Sequence, residues 1–170
     1  MKKLQIVLIA LLTSSLFISC QKTKGVSNAD DMGRYAFDIL KNLDNLSSDE
    51  FINTLCTAEE IKAFGKRNAE TLDPKAKKGI DDIKKESHEE RVGRDYDRLK
   101  KGAEKNKISW SAIEYDSYDF EERDQDGIKF VQGKLSIKHK DETYIVGINY
   151  ALMEGTYMLI RASRLNKKPE

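Results

Sequence analysis

The sequence predicts an α+β protein in which N-terminal helices pack on one face of a curved four-stranded antiparallel meander, with a charged helical insert between helices and sheet. Two observations carry this reading. Between residues 29 and 70 apolar side chains recur at the three-and-four spacing of a helix, whereas after Ile108 the period changes to two. Three short turn signals, Asp126-Gly127, Asp141-Glu142 and Glu154-Gly155, then divide the alternating region into four runs, and links this short permit only antiparallel neighbours.

Each element has its own local reason. Met32, Tyr35, Ala36, Ile39, Leu40 and Leu43 form one apolar stripe and define a first helix. Ser47 followed by Glu50, and Thr57 followed by Glu60, are capping boxes that open two short helices carrying Phe51, Ile52 and Leu55, then Ile61 and Phe64. Asp73-Pro74 is a further start signal. From there to Lys107 the chain holds twelve Lys and Arg and nine Asp and Glu in 35 residues, with sparse large apolar residues at Ile80, Ile83, Val92, Tyr96 and Leu99. Mixed signs at this density read as a solvated helical face or hairpin.

Strands are expected over 108–123, 128–139, 143–153 and 156–165. If each link is a two-residue hairpin, one face collects Tyr118, Phe120, Val131, Leu135, Ile137, Val146, Ile148, Tyr150, Leu152, Tyr157 and Leu159. This register sets Tyr150 over the gap at Gly133 and puts Arg161 beside Ile148. The opposite face carries Asp119, Glu121, Gln132, Lys134, Ser136, Lys138 and Asn149, which suits water, but also Met158 and Ile160.

The N-terminus is a separate unit. Lys2 and Lys3 precede an apolar run from Leu4 to Leu12, and small Ser19 precedes Cys20, the pattern of a secretory signal peptide over residues 1–19. Its end, Phe17-Ile18-Ser19-Cys20, resembles the lipobox of bacterial lipoproteins, although that family usually has Leu where Phe17 stands. The resemblance implies that Cys20 is acylated and becomes the first mature residue, anchoring the protein in a membrane of the cell envelope. Gln21, where Asp does not follow the cysteine, resembles outer-membrane sorting. Residues 20–28 would then be the lipidated cysteine and a short tether, and residues 29–170 a single domain, helical over 29–107 and sheet over 108–165.

The whole chain has 30 Lys and Arg against 29 Asp and Glu, net charge +1, and loss of Lys2 and Lys3 with the leader makes it −1. That balance argues against nucleic acid as a partner, since nucleic-acid binders present a basic face. Cys56 is the second of two cysteines, and with Phe51, Ile52 and Leu55 beside it reads as a buried small hydrophobe.

The order of lipobox, tether, amphipathic helix, a second helix after Ser47-Ser48-Asp49-Glu50-Phe51, and a meander ending in Gly155-Thr156-Tyr157-Met158-Leu159-Ile160-Arg161 resembles small exported lipoproteins with a nuclear transport factor 2-like, or cystatin-like, domain. Lipoproteins described as lumazine-binding look most similar, many of them with Trp at the Tyr157 position. The resemblance covers residues 29–70 and 108–165, and the charged insert departs from it. It implies a helix lying in the concavity of a curved sheet, and a binding or interaction module. The alternative it implies is an enzyme acting on a small molecule in the cone pocket, which needs a carboxylate or histidine pointing into the cone.

The remaining motifs give little chemistry. Asp124-Gln125-Asp126-Gly127 is similar to the centre of a calcium loop, but the required twelfth-position Glu falls on Gly133. His88 in Ser87-His88-Glu89-Glu90 lacks the i, i+4 partner of a helical metal site, and no phosphate loop or zinc spacing occurs. No metal, cofactor or catalytic residue is therefore assigned. Glu114, Asp116, Asp119, Glu121, Glu122 and Asp124 on the first strand read as protection for a sheet edge. Trp110, Tyr115 and Tyr118 read as core or edge aromatics, with stacking on an aromatic ligand as the alternative.

Arg161 is the candidate binding residue, because a charge on the apolar face needs a partner or a path to water. Either a carboxylate of the first helix such as Asp38 neutralises it, or it guards a pocket for an anionic ligand with Tyr118, Tyr150 and Tyr157 as aromatic walls. The expected partners are thus membrane lipid through acylated Cys20, and an envelope protein or small molecule.

Overall fold

The computed structural model describes residues 24–169. The predicted signal peptide, Cys20 and the tether up to Thr23 lie outside the described residues. The helices are α1 (Met32–Lys41), α2 (Ser48–Thr54), α3 (Ala58–Arg67), α4 (Pro74–Asp81) and α5 (Lys85–Lys105). They precede strands β1 (Glu114–Gln125), β2 (Ile128–His139), β3 (Glu142–Met153) and β4 (Thr156–Lys167), paired antiparallel in the order β1-β2-β3-β4. The fold is α+β, helices against a four-stranded antiparallel meander, as the change of period predicts.

The caps form as read. Ser47 and Glu50 exchange side-chain and backbone bonds at the start of α2, Thr57 and Glu60 do so at α3, and the Asp73 carboxylate accepts from the Lys75 amide at α4. Each satisfies backbone donors that a helix start leaves without partners. The stripe on α1 is turned slightly from the expected one. Met32, Ala36, Phe37 and Leu40 are buried, while Tyr35 and Ile39 are half-buried.

The charged insert is two helices, and it is not merely solvated. Along α5 the residues facing inward are His88, Val92, Asp95, Leu99 and Ala103, one side of a helix at regular three-and-four spacing. This face packs against β4, with Leu165 lying where a Cβ on Gly102 would touch it.

Several sheet details differ from the sequence-based register. The first strand begins at Glu114 and not at residue 108, because Trp110–Ala112 form a 3-10 turn. That turn drives Ile108, Trp110 and Ile113 into the core, and the Trp110 amide donates to the Asp44 carboxylate at 2.9 Å. In the middle hairpin Lys140 adopts φ 57°, so the turn is Lys140-Asp141 and Glu142 joins the strand. Pairing moves by two residues: Val146 faces Leu135, Ile148 faces Gly133, and Tyr150 faces Val131. A shift of two leaves every side chain on its expected face. The first and last hairpins turn as expected at Asp126-Gly127 and Glu154-Gly155, all four residues having positive φ.

Irregularities change parity where they occur. Register shifts between Tyr115 and Ser117, so Tyr115 and not Asp116 faces Ile137. On β4 two shifts bend the strand, and Ala162, not Arg161, faces Ile148.

The inner face of the sheet and α1, α2 and α5 enclose the main core, which includes Met32, Leu40, Phe51, Leu99, Leu135, Val146, Ile148 and Tyr150. A smaller cluster of Phe64, Leu72, Ile80 and Ile128, with Phe130 and Met153 against it, joins α3 and α4 to the opposite face. The edge of β4 is covered: Val26 exchanges backbone bonds with Tyr157 at 3.1 and 2.7 Å, and the Cys56 amide donates to Leu159 O at 2.8 Å. The edge of β1 is open and largely acidic and exposed, which discourages strand addition.

Gly133 is required by packing. The ring over it is Tyr118, not Tyr150, and a Cβ there would collide with Tyr118 Oη, Cε2 and Cζ. Gly33 of α1 also packs closely on Tyr118, where a Cβ would collide with Tyr118 Cβ. Gly133→Ala is therefore expected to lower stability by about 1–3 kcal/mol, measured as the shift in urea midpoint.

Candidate functional site

Arg161 does not stand in the apolar row with Tyr118, Leu135 and Ile148. The shift on β4 sets it opposite Asn149. There its guanidinium meets the side chain of Asp95 on α5 with two bonds, Nε to Oδ2 at 2.6 Å and Nη2 to Oδ1 at 3.1 Å. Asp95 is buried, its side chain 2% exposed, whereas Arg161 is 37% exposed. Arg98 adds a third bond at 3.2 Å. The carboxylate comes from the charged insert, so Asp38 of α1, an exposed residue, is not the partner. The Asp95 hydrogen bond holds the Arg161 pKa above its ordinary value against the opposing effect of burial.

The three tyrosines do not form one wall with Arg161. Tyr150 is fully buried and donates to the Met32 carbonyl at 2.6 Å, tying α1 to the sheet. Burial pushes its hydroxyl pKa far up. Tyr157 donates to Glu122 Oε1 at 3.1 Å, linking β4 to β1. Tyr118 packs on both Gly33 and Gly133 and stacks on Phe120, centroids 5.5 Å apart. Phe120, expected in the buried row, is 37% exposed. Tyr115 packs edge-on against Phe37 beneath Arg34, and Trp110 is fully buried, so both act as core or edge aromatics.

Two buried polar residues on α5 escape a search for apolar periodicity. His88 donates from Nε2 to Cys56 O at 3.0 Å and accepts at Nδ1 from Arg91 Nη2 at 3.1 Å. Burial and the nearby guanidinium lower its pKa, so the ring is neutral. The signal that could have found His88 and Asp95 is their spacing, four before and three after Val92 on the face that Leu99 continues. Cys56 is buried, and desolvation with the charge of Glu60 pushes its thiol up to about 12, which keeps it protonated and inert.

Two of the surface concavities flank α3. A groove of about 1090 Å³ runs between Lys24–Ser27, α3 and the β3–β4 turn, and mixes Lys24, Asp31, Glu60 and Arg67 with Phe64, Met153 and Met158. Lys24 is fixed beside it, donating to Leu55 O and Glu60 Oε2, both at 3.1 Å. A cleft of about 430 Å³, more apolar, opens beside the small cluster where α3 and α4 pack on the sheet. No described helix is long and apolar enough to cross a membrane.

The class these features define is an α+β protein with a four-stranded antiparallel meander and surface concavities, two of them beside α3. Comparison with family models, with curated proteins and with solved structures finds no match for the chain.

Proposed function

We propose that the protein is an exported lipoprotein, anchored through acyl chains on Cys20 to a membrane of the cell envelope, the outer rather than the inner, and that its domain is a non-catalytic interaction module. The domain resembles the nuclear transport factor 2-like lipoproteins in the order of its elements, and we take that family as its kinship. The observation that carries the reading is the sequence Phe17-Ile18-Ser19-Cys20 behind an apolar leader. Val26 is bonded on both sides to Tyr157, and Lys24 is pinned to α3, so the chain leaves the domain at one fixed point. Cys20 lies four residues before Lys24, which spans roughly 14 Å at most. A lipid there would hold the groove beside Lys24 toward the bilayer and in reach of partners at its surface. Acyl chains contribute about 0.8 kcal/mol per buried methylene, enough for durable anchoring when several are present.

The test is metabolic labelling with palmitate in a bacterial host. Wild type is expected to incorporate label and to sediment with membranes, and Cys20→Ala to incorporate none. Equal labelling of the two proteins would overturn the anchor.

A further inference from the structure

The cleft between α3, α4 and the outer face of the sheet has the size and lining of a small-molecule site, about 430 Å³ and mostly apolar. Phe64 and Ile80 form its helical side, and Ile128, Phe130 and Ala151 its sheet side. Gly79 stands on the helical side with open space where a Cβ would be.

Charge at the rim is uneven. Lys75 and Asp126 line one end and pair with each other at 3.5 Å. The other charged lining residue is Arg91 of α5. Arg67, Arg94, Arg98, Arg123 and Arg161 each meet a carboxylate, but Arg91 meets the neutral ring of His88. Among the described residues no carboxylate pairs with it. His88 gives its Nε2 proton to the Cys56 carbonyl, which leaves Nδ1 as an acceptor for the guanidinium. A buried, doubly bonded imidazole thus holds a cation at the rim without neutralising it.

We propose that this cleft binds a small amphiphilic carboxylate, its apolar body against Phe64, Ile80 and Phe130 and its carboxylate on the guanidinium fork of Arg91. Arginine suits this role because its planar donors match a carboxylate in pairs. The site is on the opposite side of the sheet from α1 and does not depend on acylation of Cys20.

The experiment uses the full chain made in a bacterial host, in whichever fraction carries it. Three photoreactive probes are compared: dodecanoate with a diazirine on its chain, the methyl ester of the same acid, and a phosphatidylglycerol with the diazirine on one acyl chain. After irradiation and digestion, dodecanoate is expected to label peptides of α4 and β2, and the ester and the phospholipid are not. Arg91→Gln is expected to reduce that labelling about tenfold, the size of a lost charged hydrogen bond. Gly79→Leu is expected to remove it by filling the cleft, while its melting temperature stays at or above that of wild type, because leucine is the better helix former. The proposal is overturned if dodecanoate does not label these peptides, if the ester labels equally, or if the phospholipid alone labels. Unchanged labelling in Arg91→Gln or in a folded Gly79→Leu would overturn it as well.

Discussion

Replacing Val146 or Ile148 with aspartate is expected to cost about 4 kcal/mol or more, a large share of the roughly 5–15 kcal/mol that holds a typical domain folded. Both side chains are completely buried on the inner face of β3, within the core that α1, α2 and α5 close. A carboxylate at either place would lose its hydration and gain no cation. Lys134→Asp is the control, since Lys134 is exposed on the opposite face and faces Asp119 across the β1–β2 ladder. Like charges opposite each other cost only about 0.2–1 kcal/mol. Urea denaturation of the three variants checks the ranking. The reverse order would mean that inner and outer faces are exchanged.

Arg161→Met is expected to cost about 3 kcal/mol, the lower end of the range for breaking a buried pair by removing one partner. The variant leaves Asp95, with a side chain 2% exposed, holding only its bond to Arg98. Asp95→Leu should be milder, because the guanidinium left behind is 37% exposed and can reach water. The double variant Asp95→Leu with Arg161→Met should return to within about 1 kcal/mol of wild type, since well-packed apolar side chains can replace a buried pair at little cost. A double-mutant cycle measured by thermal or urea unfolding gives the coupling directly. If Arg161→Met keeps the wild-type midpoint, Asp95 is stabilised by its surroundings alone and the bridge contributes nothing.

The sequence by itself determined the parts that depend on neighbours within about four residues. Both capping boxes, the Asp73-Pro74 start, the stripe on α1 and the turns at Asp126-Gly127 and Glu154-Gly155 are local chemistry, and all form. The inner face of β2 and β3 was also legible, because alternation survives a register shift of two. What remained hidden was decided by long-range packing. The bulges on β1 and β4 and the left-handed Lys140 leave no signature in a period of two, yet they decide which residue faces which, and so moved Arg161 off the apolar face. The docking of α5 along β4 was equally invisible, since two of its five inward residues are His88 and Asp95, which look solvent-facing until partners distant in sequence satisfy them. Burying a polar group costs free energy unless a partner bonds it, and the partners of His88 and Asp95, the Cys56 carbonyl and Arg161, lie 32 and 66 residues away. Local periodicity could not bring them together; only the tertiary structure does.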